Sequence, residues 1–318
     1  MNLNQLAIFH AVAKSGNLTR ASETLCISQP AVSKQLHTLE KSLGTALFHR
    51  LSKGVQLTES GLLLLEYSTR IFALETEAEQ ALSELRELQR GKLVIGASTT
   101  IGIYLLPQVM GEFQKLHPRV ELQLEIGNTA QIQQELIANK IDLALTEGIL
   151  EGAQWQSEAF LRDEIIAVVA PSHALAKRST PAISRLQNQQ ILLREIGSGT
   201  RKVVEAAFQG KAIPLESAMS LGNTEAIKRA VISGMGIAFV SRLAVADELK
   251  SGELVTVKFA DWKIEREFYR LRLKGNYESR AAREFMHLLK QVSAPHALTI
   301  AAYNSEYSRA EASHEKSH

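Results

Sequence analysis

The sequence predicts an α/β protein with an all-α N-terminal part. Short helices with capping residues fill the first 58 residues, an uninterrupted apolar heptad follows, and from Lys92 apolar strands alternate with helices. These patterns indicate a winged helix-turn-helix, a long helix and a two-lobed domain. The predicted boundaries are 1–58, 59–90 and 91–293, with lobe I at about 91–163 and 267–293, lobe II at about 164–266, and a disordered polar tail at 294–318.

The stretch Asn17–Leu43 has the pattern of two helices separated by a tight break. Ser28 is a hydroxyl N-cap before Pro30, whose missing N–H costs nothing in a first helical turn. An apolar stripe then follows at three- and four-residue steps, formed by Val32, Leu36, Leu39 and Leu43.

The opposite face of this second helix suits the major groove of DNA. Gln can bond a base edge, Ala and Ser permit close approach, and Lys reaches phosphate or guanine. A solvated helix face is the alternative for these residues. The predicted groove residues are Ser28, Gln29, Pro30, Ala31, Ser33, Lys34 and His37, with Thr19 and Arg20 at the backbone and Arg50 and Lys53 on the wing.

The flanking segments complete the predicted winged plan. The first helix should end before Gly16, and Thr19 is the expected N-cap of the next helix. Gly44 should stop the second helix of the pair. Phe48 and Leu51 are expected to face inward on two short arms joined at Gly54.

Leu62–Arg90 is the longest helical pattern, without Gly or Pro. Its apolar residues alternate steps of three and four, as in the a/d seam of a coiled coil. Homodimerisation is the natural inference, and packing on the chain's own C-terminal domain is the alternative. The seam is Leu64, Tyr67, Ile71, Leu74, Ala78, Ala81, Leu85 and Leu88.

Three strand-to-helix turns place small polar residues before a helix, where free N–H groups and hydroxyls suit an anion. Ordinary N-capping explains any one of them; together they favour a small anionic effector, such as an oxyanion or phosphorylated metabolite, between the lobes. Glu147 either lines this cleft and excludes bulky anions or pairs with Arg201 or Lys202. The predicted effector residues are Ser98, Thr99, Thr100, Asn128, Thr129, Glu147, Ser198, Gly199, Thr200, Arg201, Asn223 and Thr224.

Other functional classes find little support. The glycine-rich segment 196–200 is not a nucleophile elbow, and no dinucleotide fingerprint or metal-ligand spacing occurs, so no catalysis, cofactor or metal is predicted. A single cysteine and the lack of a membrane-length apolar run predict a cytoplasmic protein. Residues 1–60 hold six Lys/Arg against three carboxylates, whereas the net charge of the whole chain is +2.

A set of residues with fitting order and spacing carries a family resemblance: Phe9, Ala21-Ser22, Leu25, Ser28–Ser33, Leu39-Glu40, Leu43-Gly44, Leu47-Phe48-x-Arg50 and Leu57-Thr58-x-x-Gly61. On these residues the chain resembles LysR-type transcriptional regulators, to about residue 293. The resemblance implies a dimerising linker helix, an effector domain folded like a periplasmic binding protein, and tetramers that bend two promoter half-sites. The expected partners are double-stranded DNA, a small anion, a second copy of the chain and RNA polymerase.

The C-terminal part resembles the branch that regulates sulfur assimilation and carbon fixation. The segments that carry this are Ala97–Gly102, Arg194–Arg201 and Gly222–Lys228, and Thr146-Glu147-Gly148 leans toward the sulfur side. The alternative from a different class is a solute-binding or transferase-like α/β protein with a helical N-terminal extension. That alternative predicts no DNA affinity for residues 1–90.

Overall fold

The computed structural model describes residues 1–51, 54–86, 91–148, 152–177, 180–209, 213, 215, 218–260, 262–275 and 278–293. The chain divides into two compact units, Met1–Ser83 and Glu84–His318. The predicted tail at 294–318 and the end of the predicted long helix at 87–90 lie outside the described residues. Each unit is therefore considered by itself.

The first unit contains three short helices, a two-stranded hairpin and a long helix. The elements are α1 (Leu3–Ser15), α2 (Leu18–Thr24), α3 (Gln29–Leu43), β1 (Phe48–Arg50), β2 (Val55–Leu57) and α4 (Glu59–Arg86). Gly16 and Gly44 end α1 and α3 in the left-handed conformation, as predicted. The strands β1 and β2 pair antiparallel and form the expected wing.

Side chains from α1, α2, α3 and the start of β1 form the core of this unit. Phe9, Val12, Val32 and Leu39 are fully buried there. The predicted inward positions Leu43 and Leu51 are wrong, because their side chains are 40% and 51% exposed. Leu43 is the last residue of α3 and Leu51 directly follows β1, and at these ends the side chains no longer face the core.

The second helix begins one residue earlier than its expected cap. Asn17 accepts hydrogen bonds from the backbone N–H groups of Thr19, at 2.8 Å, and Arg20, at 3.3 Å. Thr19 is therefore a first-turn residue and not the N-cap. Asn and Thr both cap helices, and Asn is the stronger of the two.

The second unit is built on one mixed sheet with the order β4-β3-β5-β11-β6-β9-β7-β8, and β10 pairs with β6. Its strands are β3 (Gly91–Ser98), β4 (Val120–Gly127), β5 (Leu143–Glu147), β6 (Trp155–Val169), β7 (Ile191–Arg194), β8 (Met219–Leu221), β9 (Ile237–Ser241), β10 (Val255–Val257) and β11 (Ile264–Leu273). Its helices are α5 (Thr99–Tyr104), α6 (Leu106–Leu116), α7 (Thr129–Ile137), α8 (Gly199–Phe208), α9 (Thr224–Ile232), α10 (Ala246–Ser251) and α11 (280–293). Its described residues also include two short 3-10 helices, Ile183–Asn188 and Arg242–Val245.

Two groups of parallel strands are joined by the long antiparallel pair β6 and β11. On one side β3 pairs with β4 and β5, and on the other β7 pairs with β8 and β9, all parallel. Separate apolar clusters cover the two groups, around Phe113 and Phe285 in one and Phe208 and Phe239 in the other. This matches the predicted two-lobed plan; the numerical lobe boundaries stay a prediction.

Two elements of the second unit are less regular than a single helix or a fully buried strand. The apolar segment Ile101–Leu116 is divided between α5 and α6, with Leu105 between them and Pro107 in the first turn of α6. The apolar stretch Ile165–Val169 forms only the last part of β6, whose first half is largely exposed. No helix in the described part of the chain has the length and apolar character needed to cross a bilayer.

Candidate DNA-contact face and effector cleft

The exposed face of α3 carries the side chains predicted to contact DNA. Ser28 caps the helix by accepting a hydrogen bond from the N–H of Ala31 at 3.4 Å, and Pro30 lies in the first turn. The predicted groove residues from Gln29 to His37 therefore lie in the first turns of a regular helix. Thr19, Arg20, Ser28, Gln29, Pro30, Lys34 and His37 are exposed, and Ala31 and Ser33 are half-buried.

The wing supplies less information on its predicted contacts. Arg50 is the last residue of β1, and its side chain is outside what the structure describes. Lys53 lies outside the described residues altogether. Gly54, with φ of +86°, makes the turn between the two strands. A Cβ there would meet the carbonyl oxygen of Gly16 at 2.5 Å, so the turn packs closely on the end of α1.

In the second unit, the carboxyl ends of the parallel strands of both lobes meet. Open α/β sheets bind ligands at this edge. Ser98 ends β3, Glu147 ends β5, Arg194 ends β7 and Ser241 ends β9. All four side chains are nearly fully buried, with at most 2% of each residue exposed. We call the space between them the cleft.

Glu147 is the centre of the cleft. Its Oε1 accepts hydrogen bonds from the hydroxyls of Thr100, at 3.2 Å, and Thr200, at 3.0 Å. Thr100 belongs to lobe I, as Glu147 does, and Thr200 belongs to lobe II. The Glu147 carboxylate therefore connects the two lobes. Its ion-pair partner is Arg266, at 3.2 Å, rather than Arg201 or Lys202.

Arg266 is a buried cation on β11 and completes this network. It donates through Nε to Asp163 at 2.7 Å and through Nη1 to Thr200 at 2.8 Å. Ser241 donates to the other oxygen of Asp163 at 2.8 Å. Burial by itself lowers the pKa of Arg266, but the carboxylates of Glu147 and Asp163 raise it overall. The guanidinium therefore stays charged.

Arg194 forms a second connection between the lobes. It donates to Thr99 of α5 at 3.2 Å and to Thr224 of α9 at 3.0 Å. Glu195 binds the same guanidinium through both oxygens, at 2.7 and 2.9 Å. Burial raises the pKa of Glu195, but the hydrogen bonds and charge of Arg194 bring it below its usual value. Asn128 also donates to Glu195, at 3.3 Å.

The lobes approach very closely beside Glu147. Across the lobes, the N–H of Ala130 donates to the carbonyl of Gly197 at 3.2 Å. Within lobe I, Thr129 donates to the Glu147 carbonyl at 3.1 Å. A Cβ on Gly199 would lie 2.1 Å from the Glu147 carbonyl oxygen. Only glycine permits this approach, so Gly199 positions α8 against β5.

Three of the predicted helix starts are satisfied within the protein. Asn128 caps α7, Ser198 caps α8 and Asn223 caps α9, each by accepting an N–H of its own helix. Ser98 precedes α5 but makes no such bond. Capping therefore accounts for two of the three predicted anion turns, those at Asn128 and Ser198, and for the turn at Asn223.

Three buried polar atoms at the cleft edge have no hydrogen-bond partner in the described part of the chain. They are Ser98 Oγ, Thr146 Oγ1 and Glu147 Oε2, on residues that are at most 1% exposed. Ser98 and Thr146 follow the paired residues Ala97 and Leu145 on neighbouring parallel strands. Buried polar groups without partners are rare, since each costs about 1–3 kcal/mol.

The structure thus brings most of the predicted effector residues together, but not Asn223, which is exposed and caps its own helix, nor Arg201. Arg201 donates to the Arg194 carbonyl at 3.0 Å and to Glu205 at 2.7 Å, away from Glu147. Sequence reasoning missed Arg194, Asp163 and Arg266. Arg194 directly follows an apolar strand, which was a usable signal, whereas nothing local marks an arginine inside β11 as buried.

A cavity of about 580 Å³ borders the cleft on the side of α8 and β11. Gly148, Val203, Arg266 and Tyr269 are among its lining residues. Within the described residues, no group of three or more His, Cys, Asp or Glu side chains could hold a metal ion.

Two family models match this chain. The model of the "bacterial regulatory helix-turn-helix protein, lysR family" covers residues 3–62, and the model of the "LysR substrate binding domain" covers residues 86–294. The chain belongs to the LysR family. This LysR-type protein is therefore a DNA-binding transcriptional regulator and not an enzyme, and the solute-binding or transferase alternative is excluded.

Named relatives of this LysR-type regulator agree with the predicted branch. The RuBisCO operon transcriptional regulator of Allochromatium vinosum is 34% identical over 92% of this chain and 97% of its own. YeiE of Escherichia coli K12, an HTH-type transcriptional regulator, is 35% identical over 93% and 99%. The first of these names favours the carbon-fixation side of the branch over the sulfur side suggested by Thr146-Glu147-Gly148.

Solved structures show the same architecture. The regulatory domain of CcmR from Synechocystis PCC6803, in complex with 2-PG, matches with a TM-score of 0.59 at 29% identity and covers 64% of this chain and 98% of that one. Full-length CbnR complexed with its target DNA matches with a TM-score of 0.63 at 19% identity and covers 92% and 100%. The predicted fold class is confirmed.

Proposed function

We propose that this LysR-type regulator contacts promoter DNA through the exposed face of α3 and responds to a small anionic metabolite in the cleft. Transcriptional regulation follows from membership of the LysR family. The residues that contact DNA and the class of ligand are what we propose. The observation that carries the ligand is the set of unpartnered buried atoms on Ser98, Thr146 and Glu147. Such groups recover a hydrogen bond when a polar ligand binds.

The structure of the CcmR regulatory domain supports the proposal of a small anionic ligand. That protein was solved with 2-PG, and it is 29% identical to this chain. 2-PG (2-phosphoglycolate) is a small anion with several acceptor oxygens, which the hydroxyls of Ser98 and Thr146 can meet as donors. It is therefore the first ligand to test.

Ser98→Ala tests the cleft without disturbing its internal bonds. The Ser98 hydroxyl bonds to nothing in the described residues, so its removal should leave the unfolding temperature unchanged. We expect the affinity of full-length protein for 2-PG, measured by calorimetry, to fall about tenfold, because a ligand bond of about 1.4 kcal/mol is lost. Thr76→Ala on α4, whose hydroxyl bonds only its own helix, is the control. An unchanged affinity in Ser98→Ala would remove this residue from the site.

Lys34→Ala tests the DNA face. Lys34 is exposed on the first turns of α3, so its loss should weaken binding to all sequences and lower the salt slope by about one. Gel shifts on the upstream region at several salt concentrations measure both effects. Lys41→Ala, in the last turn of the same helix, is the matched control and should change neither. Equal effects of the two variants would argue against the assigned face.

We further propose that the regulator acts as a dimer that pairs into a tetramer, through the exposed part of the α4 seam. A dimer presents two α3 helices and favours a near-palindromic site with two half-sites. Effector binding would then change how the half-sites are spaced or bent. RNA polymerase is a further proposed partner at the promoter.

A further inference from the structure

Glu147 has one satisfied and one unsatisfied carboxylate oxygen. Oε1 accepts hydrogen bonds from Thr100 and Thr200 and forms an ion pair with Arg266, whereas Oε2 has no hydrogen-bond partner in the described part of the chain. The residue is 1% exposed. An ionised carboxylate can only accept hydrogen bonds, so whatever meets Oε2 must donate one.

The buried cations of the cleft are already outnumbered by the carboxylates that pair with them, five against three. Arg266 is shared by Glu147 and Asp163, at 3.2 and 2.7 Å, and Arg194 is held by Glu195 at 2.7 Å. On α9, Lys228 is paired with Glu225 and Glu248, at 2.9 and 2.7 Å. Among these residues no cation remains uncompensated. A ligand is therefore not drawn to Glu147 by an excess of positive charge.

A fully ionised ligand oxygen against Glu147 Oε2 would be repelled. Two unit charges about 4 Å apart interact by several kcal/mol at the effective dielectric constant of a protein. A hydrogen between the two oxygens turns this repulsion into a charge-assisted hydrogen bond, which is about twice as strong as a neutral one. The contact between the ligand and Glu147 Oε2 is therefore attractive when the ligand oxygen carries a proton and repulsive when it does not.

We propose that Glu147 selects the effector class: the ligand is an anion that also carries a hydrogen-bond donor, such as an acid proton, a hydroxyl or an ammonium group. This inference rests on the proposed effector cleft. It disfavours fully deprotonated oxyanions such as sulfate. It admits hydrogen phosphate, the singly protonated phosphoryl group of a phosphorylated acid, and hydroxy or amino acids.

Phosphate and sulfate form a matched pair of probes, because both are tetrahedral oxyanions of similar size and only phosphate keeps a proton at neutral pH. Calorimetric titration of the full-length wild-type protein should show phosphate binding at least about tenfold more tightly than sulfate. In Glu147→Gln the amide accepts from Thr100 and Thr200 through its oxygen and presents an N–H to the ligand. The preference should therefore disappear or reverse.

Ser98→Ala is the control for general damage to the cleft. Its hydroxyl can donate to either anion, so both affinities should fall and their ratio should stay. If Glu147→Gln fails to fold, the wild-type ratio decides by itself, since it needs no variant.

The outcomes separate the two proposals. Sulfate binding as tightly as phosphate in the wild type, or an unchanged phosphate preference in Glu147→Gln, overturns the role of Glu147 and leaves an anion cleft standing. A wild-type protein that binds neither ion nor 2-PG overturns the effector proposal itself, and this inference with it.

Discussion

Arg266 compensates the charge of two buried carboxylates in the cleft. It pairs with the buried carboxylates of both Glu147 and Asp163, and it donates to hydroxyls of both lobes. Removing one partner of a buried ion pair leaves an uncompensated charge, which costs far more than the pair contributes. The stability of the second unit should therefore depend strongly on this side chain.

Arg266→Met removes the cation and keeps much of the side-chain volume. We expect the free energy of unfolding to fall by about 3–5 kcal/mol, because Glu147 and Asp163 are left buried without compensation. Urea unfolding followed by tryptophan fluorescence reports this unit, since both tryptophans, Trp155 and Trp262, belong to it.

Arg162→Met is the matched control. Arg162 lies on β6 next to Asp163, but its side chain is 87% exposed and its pair with Glu267 spans 3.8 Å. Exposed pairs of this kind contribute about 0–1 kcal/mol. Equal losses in the two variants would show that the buried network does not distinguish Arg266 from a surface arginine.

Among the elements, helix boundaries in the first unit were predictable because their signals are local. Ser28 with Pro30, and the glycines 16 and 44, act on the turn in which they lie. Thr19 failed for the same reason: Asn17 and Thr19 are both good caps, and the sequence does not state which begins the helix.

Asn17→Ala should show which residue is the true cap of α2. Its side chain satisfies two N–H groups, so the loss should cost about 1 kcal/mol. Thr19→Ala should leave stability unchanged or raise it by a few tenths of a kcal/mol, because alanine is the better helix former. Hydrogen exchange at the α2 amides of the full-length protein measures both. Faster exchange in Thr19→Ala than in Asn17→Ala would reverse the assignment.

The cleft was only partly predictable, because its parts come from elements distant in sequence. Small polar residues after strands identified the turns, and the carboxyl-edge rule brought them together. Arg266 lies inside a strand, and its partners are 103 and 66 residues away at Asp163 and Thr200. The first half of β6 is largely exposed, so its apolar residues do not form the continuous run that identifies a buried strand.

On the scale of the whole molecule, the α4 seam links DNA contact to self-association. The described seam residues fall into two groups. Leu64 and Ile71 pack against the core of the first unit, whereas Tyr67 and Leu74 are 50% and 64% exposed. The side chains of Ala81 and Leu85 and the whole of Leu88 lie outside the described residues. An exposed apolar row on a long helix favours a second copy as its partner.

Leu74→Glu tests whether this row holds two copies together. A buried charge at a d position should weaken self-association by at least about tenfold, measured by sedimentation equilibrium. Binding to a fragment with two half-sites should weaken as well, because the second contact is no longer tethered to the first. Leu62→Glu is the matched control, since Leu62 is 60% exposed but lies off the seam. Association unchanged in Leu74→Glu, or lost equally in both variants, would move the dimer contact away from this seam.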